Sequence, residues 1–167
     1  LAESERYWET VADSIGRPLM VISSDYRVRL LNAAARKQAG KDIPENITCH
    51  RLSHGSDTPC TGENDPCPLA DVLATGEPLT VTHRHLGPTG EPAIIDLYAW
   101  PLRDRNGQVT GIIEIARDVT EQRRLQQAVA KNEKILIMAQ RIARVGSWHY
   151  DPDSGQFDCS SEMRRIF

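Results

Sequence analysis

Three stretches of alternating residues between positions 79 and 116 constrain this chain more than any other feature. Residues 79–86 are joined through Gly87-Pro-Thr-Gly90 to residues 93–102, which are joined through Asp104-Arg-Asn-Gly107 to residues 109–116. Asn-Gly between alternating stretches is among the strongest hairpin signals, because both residues tolerate the positive φ of a tight primed turn. The pattern predicts an antiparallel three-strand meander. In its last strand Val109, Gly111, Ile113 and Ile115 fall on one face, and Thr110, Ile112, Glu114 and Ala116 on the other.

The segment before the meander supplies two more strands and the helices. Residues 19–22 and 28–31 flank the turn residues Ser23, Ser24 and Asp25, the pattern of a short hairpin. Asn32 stands as an N-cap before Ala33-Ala-Ala-Arg-Lys-Gln-Ala39, which ends at Gly40. Residues 41–66 are polar and turn-rich, a loop long enough to suggest a task of its own. A helix from Pro68 to Thr75, closed by Gly76, follows. Five antiparallel strands with helices on one face make an α+β fold. Tyr7, Trp8, Val11, Ala12 and Ile15 recur at helical spacing, so residues 1–16 are read as a lead-in helix.

Beyond the meander, Asp118-Val-Thr-Glu121 has the form of a capping box that opens a helix over residues 119–144. With Leu125, Asn132 and Ala139 at heptad position a and Ala128, Ile135 and Ile142 at d, five of six seam positions are apolar. A single Asn at position a is a device that fixes register and two-strandedness. The seam is consistent with a homodimer, and equally with packing on whatever follows. Residues 145–167 then repeat the hairpin-then-helix order of residues 19–39, as the truncated start of a second copy. Such a lone hairpin is marginal in water unless it packs on its neighbour. The chain begins without Met and stops at Met163-Arg-Arg-Ile-Phe167, and is expected to be a piece of a longer one.

Charge and composition exclude some classes. Twenty basic residues against 23 acidic ones, a net −3 spread along the chain, leave no basic footprint for nucleic acid or anionic membrane. No apolar run approaches the ~20 residues of a membrane span. A cytoplasmic location is expected, with a membrane anchor elsewhere in a parent chain allowed.

The order of hairpin, helices, meander and an Asp-x-Thr helix start resembles the PAS sensor domain. Pro18-Leu-Met-Val-Ile22, residues 28–32 and Ile112-Ile-Glu-Ile-Ala-Arg-Asp-Val-Thr-Glu-Gln-Arg-Arg124 carry the likeness, the last resembling the C-terminal PAC segment. Gly146-Ser-Trp and Ser161-Glu-Met-Arg-Arg-Ile-Phe167 resemble the start of another such domain. The resemblance implies a sensor domain over residues 17–118, set in a histidine kinase or diguanylate cyclase. Its state would pass along the exit helix to an output domain in the same chain. A small-molecule pocket in it would be lined by Ile22, Leu30, Val81, Ile95, Leu97 and Ile113.

Chemistry concentrates in the long loop, where Cys49, His50, His54, Cys60 and Cys67 place three thiols and two imidazoles within 19 residues. Three thiolates and one imidazole complete a tetrahedral zinc site, and thiolates also suit an iron–sulfur cluster. The ligand set expected is Cys49, His54, Cys60 and Cys67, with His50 as substitute for His54. Pro59 and Pro66 stiffen the chain just before two of the thiols. No Cys-x-x-Cys is present, so a redox thiol pair and reduced cysteines without a shared role stay open beside a metal. The run Cys-x4-His-x5-Cys-x6-Cys-Pro-Leu resembles a cysteine-rich PAS subtype without implying a ligand. His83 and His85 share a strand face that could meet a ligand or haem, with a surface or satisfied-core role expected in preference, and Tyr98 and Trp100 are expected to pack in a core or dimer face. No phosphate loop, nucleophile elbow or paired carboxylates support catalysis by this segment. The alternatives carried are a metal-dependent or thiol enzyme using Cys60 or Cys67, and a dimeric spacer without ligand.

Overall fold

The computed structural model describes residues 2–40, 43–62, 65–86 and 91–167, with backbone only for residues 2–5 and 86. The turn at residues 87–90 lies outside these. In chain order the elements are α1 (Ala2–Ser14), β1 (Leu19–Ser23), β2 (Val28–Leu31), α2 (Ala33–Ala39), α3 (Cys49–His54), α4 (Pro68–Thr75), β3 (Leu79–Leu86), β4 (Pro92–Arg103), β5 (Val109–Asp118), α5 (Thr120–Ala143), β6 (Trp148–Tyr150), β7 (Phe157–Cys159) and α6 (Ser161–Ile166).

The first five strands form one antiparallel sheet in the order β2-β1-β5-β4-β3. The last of these strands therefore lies at the centre with the first beside it, Leu19 opposite Ile115 and Ser23 opposite Gly111. That pairing needs a glycine: a Cβ at Gly111 would stand 2.1 Å from the Ile22 carbonyl oxygen, so only a bare Cα lets the two backbones meet.

Cross-strand register sorts the side chains into rows. Leu31, Met20, Glu114, Ala99 and Leu79 lie in one row on the face covered by α4, where Ile22, Leu69, Val72, Ala99 and Ile112 make the buried core. Leu30, Val21, Ile113 and Trp100 lie in a row on the opposite face, where Trp100 is 42% exposed and stacks on Tyr98. The core face of β5 is thus that of Ile112, Glu114 and Ala116. The polar glutamate that suggests a solvent face is 5% exposed, and a register shift beside Arg103 lets Val109 reach the same core from the other alternation phase.

Asn32 ties the lead-in to this sheet. Its side-chain oxygen accepts from Ala35 N, as the N-cap of α2, and from Leu19 N, both at 2.9 Å. The two N–H groups of its amide are shared among the carbonyls of Ala12, Ile15 and Arg17, whose oxygens lie 2.8–3.1 Å from the nitrogen. One fully buried side chain thereby satisfies the end of α1, the start of β1 and the first turn of α2.

Residues 121–167 form a separate compact unit. In it α5 buries no residue, and Leu125, Ile135 and Ile142 are 61%, 53% and 83% exposed. The β6–β7 hairpin forms, with Trp148 stacked on Phe157 and Ser160 capping α6. A Cβ at Gly146 would meet Met163 at 2.7 Å, so this glycine lets the chain leaving α5 pass against α6.

Replacing Asn32 by Ala strands the buried Leu19 and Ala35 amides and removes the side-chain donor from the Ile15 and Arg17 carbonyls, while the Ala12 carbonyl keeps the Ile15 amide. Urea denaturation is expected to show a loss of about 3 kcal/mol, well beyond the ~1 kcal/mol of a simple cap.

Candidate functional site

A cavity of about 320 Å³ opens between the core face of the sheet and the α2–α4 segment. That is the size of a small-ligand site. Its walls are aliphatic along β1 and β4, from Met20, Ile22, Ile95 and Leu97, and chemically active at the other side, from Cys49, His54, Cys60, Cys67, His83, His85 and Glu114.

Of the pocket residues expected from sequence, Ile22, Ile95 and Leu97 line the cavity. Val81 shares their face, opposite Leu97, but packs against the Ala93–Ile95–Leu97 cluster outside the lining. Leu30 and Ile113 belong to the row on the far face and do not reach it; Leu31 lines the cavity in place of Leu30, and Glu114 in place of Ile113. Alternation identifies the pairs of faces, but a face holding Glu114 looks solvated until the helices that cover it are known.

The long loop brings its chemistry to this cavity through α3 and α4. Cys49 opens α3 and packs on the core, while Cys67 caps α4, its sulfur accepting from Ala70 N at 3.5 Å. The expected four-residue ligand set is divided: donor atoms of His54 and Cys60 come within 4.8 Å of each other and of His83, and Cys49 and Cys67 stand outside that cluster in the same cavity. His50 is buried edge-on against Tyr26, its Nε2 3.0 Å from the Thr48 hydroxyl. His83 and His85 both enter the site, His83 as a residue only 1% exposed. Their i, i+2 spacing in a β-strand was the available signal, since it points both rings to one face.

Three imidazoles crowd together here, the His54–His85, His54–His83 and His83–His85 ring centres being 4.5, 5.3 and 5.6 Å apart. Burial, reinforced by the neighbouring rings, pushes the His54 pKa down and that of His85 to about 4, so both rings are neutral near pH 7. His83 Nε2 lies 2.7 Å from the Pro66 carbonyl oxygen. A carbonyl only accepts, so Nε2 carries a proton and Nδ1 is the ring nitrogen left to face the other imidazoles. Burial, with the other thiols and Glu114 nearby, raises the Cys60 pKa to about 11 and the Cys49 pKa to about 12. Both are protonated thiols, not poised nucleophiles. Burial alone raises Glu114 from its ordinary 4.5 to about 7.

The cavity also reaches Asp118, the last residue of β5. His83, Ile95 and Asp118 form one cross-strand row on the cavity face. Asp118 Oδ1 accepts from Thr120 N at 2.8 Å, and Thr120 Oγ1 accepts from Ile94 N at 2.8 Å.

Comparison with known proteins agrees with this architecture. A family model described as the PAS fold matches residues 12–124, and the chain belongs to that family. It is 32% identical over 90 residues to a blue-light-activated histidine kinase of Brucella anthropi, a match spanning 47% of this chain and 18% of that kinase. Among solved structures, an RNA-binding light-oxygen-voltage receptor superposes with a TM-score of 0.59 at 18% identity, over 78% of this chain and 37% of that one. The PAS domain of Bordetella pertussis BvgS superposes with a TM-score of 0.51 at 16% identity, over 78% of this chain and 98% of that one. The fold is therefore that of a PAS sensory domain. Among the described residues no helix is long and apolar enough to cross a membrane.

Two outcomes follow from the buried groups. Between pH 4.5 and about 7 the unfolded Glu114 ionises while the folded one stays protonated, so this residue makes stability fall as pH rises through that window. Glu114→Gln is therefore expected to gain roughly 3 kcal/mol over the parent chain at pH 7.5 and little at pH 4, read by urea denaturation at both pH values. At pH 8, Cys49 and Cys60 should alkylate ~10-fold or more slowly than a free model thiol, as followed by peptide mass spectrometry.

Proposed function

We propose that this chain is the sensory input of a multidomain signalling protein, in which the state of the cavity is passed through β5 to α5 and from there to an output domain. The observation that carries the reading is the row His83–Ile95–Asp118. It crosses the sheet from the imidazole cluster to the carboxylate that holds the first amide of α5. Neighbouring strands lie ~4.8 Å apart, so the signal has only about 10 Å to travel. A ligand shifts this equilibrium only as far as it contacts the two states differently, and Asp118 is at once a cavity wall and a helix start.

The match to a histidine kinase favours that class of parent over a diguanylate cyclase. A ligand-sized cavity with convergent polar groups supports a ligand-responsive domain over an empty spacer, and the raised Cys60 pKa argues against a thiol enzyme. The signal enters as a small molecule or a metal ion at the Cys–His wall, and the expected ligands Cys49, His54, Cys60 and Cys67 all face it.

A second copy of the chain is the partner expected for α5. Its exposed Leu125, Ile135 and Ile142 and its Asn132 hold the heptad positions of a two-stranded seam, and the partly exposed Tyr98–Trp100 face of the sheet offers further apolar area. The segment after α5 is read as the opening of a second PAS domain.

Fused to a histidine kinase core, the chain should regulate autophosphorylation. Filling the cavity by Ala116→Leu is expected to alter the rate several-fold, and Asp118→Ala to abolish that response while leaving a folded sensor. A kinase indifferent to both changes defeats the reading. In sedimentation equilibrium the chain should be a dimer and the double variant Ile135→Glu, Ile142→Glu a monomer.

A further inference from the structure

We infer that His54, Cys60 and His83 bind a single divalent transition-metal ion of the zinc, cobalt or nickel type, with His85 at the fourth position. This ligand set differs from the three-thiolate set that the loop spacing suggests, and it draws half its donors from β3. As the identity of the signal it rests on the sensory reading above; as a binding site it stands alone.

Geometry is the first argument. One donor atom each from His54, Cys60 and His83 lies within 4.8 Å of the other two. Bonds of ~2.0–2.3 Å to nitrogen and sulfur put the donors of a tetrahedral ion roughly 3.3–3.8 Å apart, so about an ångström of closure completes the site. His85 Nε2 stands 3.5 Å from His83 Nδ1, already the separation of two such donors.

The outer shell is the second. A ligating histidine characteristically donates its other ring N–H to a carboxylate or backbone carbonyl, which fixes the tautomer and orients the lone pair. His83 does this: Nε2 donates to Pro66 O at 2.7 Å, leaving Nδ1 for the ion. The carbonyl belongs to the rigid Pro66-Cys67-Pro68 segment that leads into α4, so the support is part of the fold.

Charge and ligand type agree. A set of three imidazole nitrogens with one thiolate sulfur is borderline-soft, suited to zinc or cobalt rather than calcium or magnesium. Binding exchanges the Cys60 S–H bond for an S–metal bond and releases one proton to solvent, with no change of oxidation state. The ion with its thiolate keeps one net positive charge, and Glu114 lines the same cavity. Cys67 is engaged in capping α4 and Cys49 in the core, which keeps them out of the set.

Cobalt(II) titration of the reduced 167-residue chain tests the site, with zinc(II) as competitor. One cobalt per chain is expected, with intense visible absorption of a tetrahedral ion and a thiolate-to-cobalt charge-transfer band, both displaced by zinc. Cys60→Ser should remove the charge-transfer band, while Cys49→Ser and Cys67→Ser keep it. His54→Ala, at a partly exposed position that leaves the core intact, should weaken binding by more than the ~100-fold upper cost of losing an outer-shell partner, with circular dichroism unchanged. Absence of stoichiometric cobalt, a band that survives Cys60→Ser, or one that vanishes with Cys49→Ser or Cys67→Ser overturns the assignment. A chain without metal whose kinase fusion still answers to Ala116→Leu would end this site and spare the sensory reading. A cobalt site as described in a fusion that answers to neither cavity change would do the reverse.

Discussion

The antiparallel ladder between β1 and β5 is the constraint on which the rest depends. It joins residues about ninety positions apart, Leu19 to Ile115 at one end and Ser23 to Gly111 at the other, and so places the N-terminal hairpin beside the C-terminal meander. Closing so long a loop costs entropy that only the finished sheet offsets. Gly111 makes the approach feasible and Asn32 holds the outer end of β1 in place. Without this ladder the cavity has no floor, since its lining is drawn from β1, β4 and β5 together.

The same ladder explains why polar chemistry sits inside. Met20 and Ala99 flank Glu114 in one row, and α4 covers that row, so a carboxyl is carried into the core by the alternation that buries Ile112. A buried carboxyl remains protonated to near neutrality because ionisation there lacks solvation. On β3 the same alternation turns His83 and His85 inward, where the loop carrying His54 and Cys60 meets them. The sheet thus presents one part of the cavity's polar wall and the loop between α2 and α4 the other.

How much of this was legible can be judged from particular residues. Asn32, Gly76 and the Asp104–Gly107 turn act locally, through a cap, a left-handed helix end and a hairpin, and short-range backbone chemistry is what sequence patterns encode most directly. The start of α5 was readable in Asp118 for the same reason. The inward assignment of Ile113 differs from the structure because β5 is apolar on both faces, and that of Leu30 because a register shift in the β1–β2 pairing leaves it opposite Val21 rather than Ile22. His83 was visible as a face residue but not as a partner of Cys60, which is 23 positions distant and on another element.

The sequence by itself determined the element order, the α+β class, the caps and turns, and the presence of a thiol- and imidazole-rich loop, because each follows from periodicity or from interactions within a few residues. Only the tertiary structure decided which face of each strand is inside, which cysteines are engaged in capping and core, and that two histidines of β3 line the cavity beside the loop's thiols. Those outcomes depend on contacts between segments far apart in the chain, and no local pattern records which of several apolar faces the helices will cover.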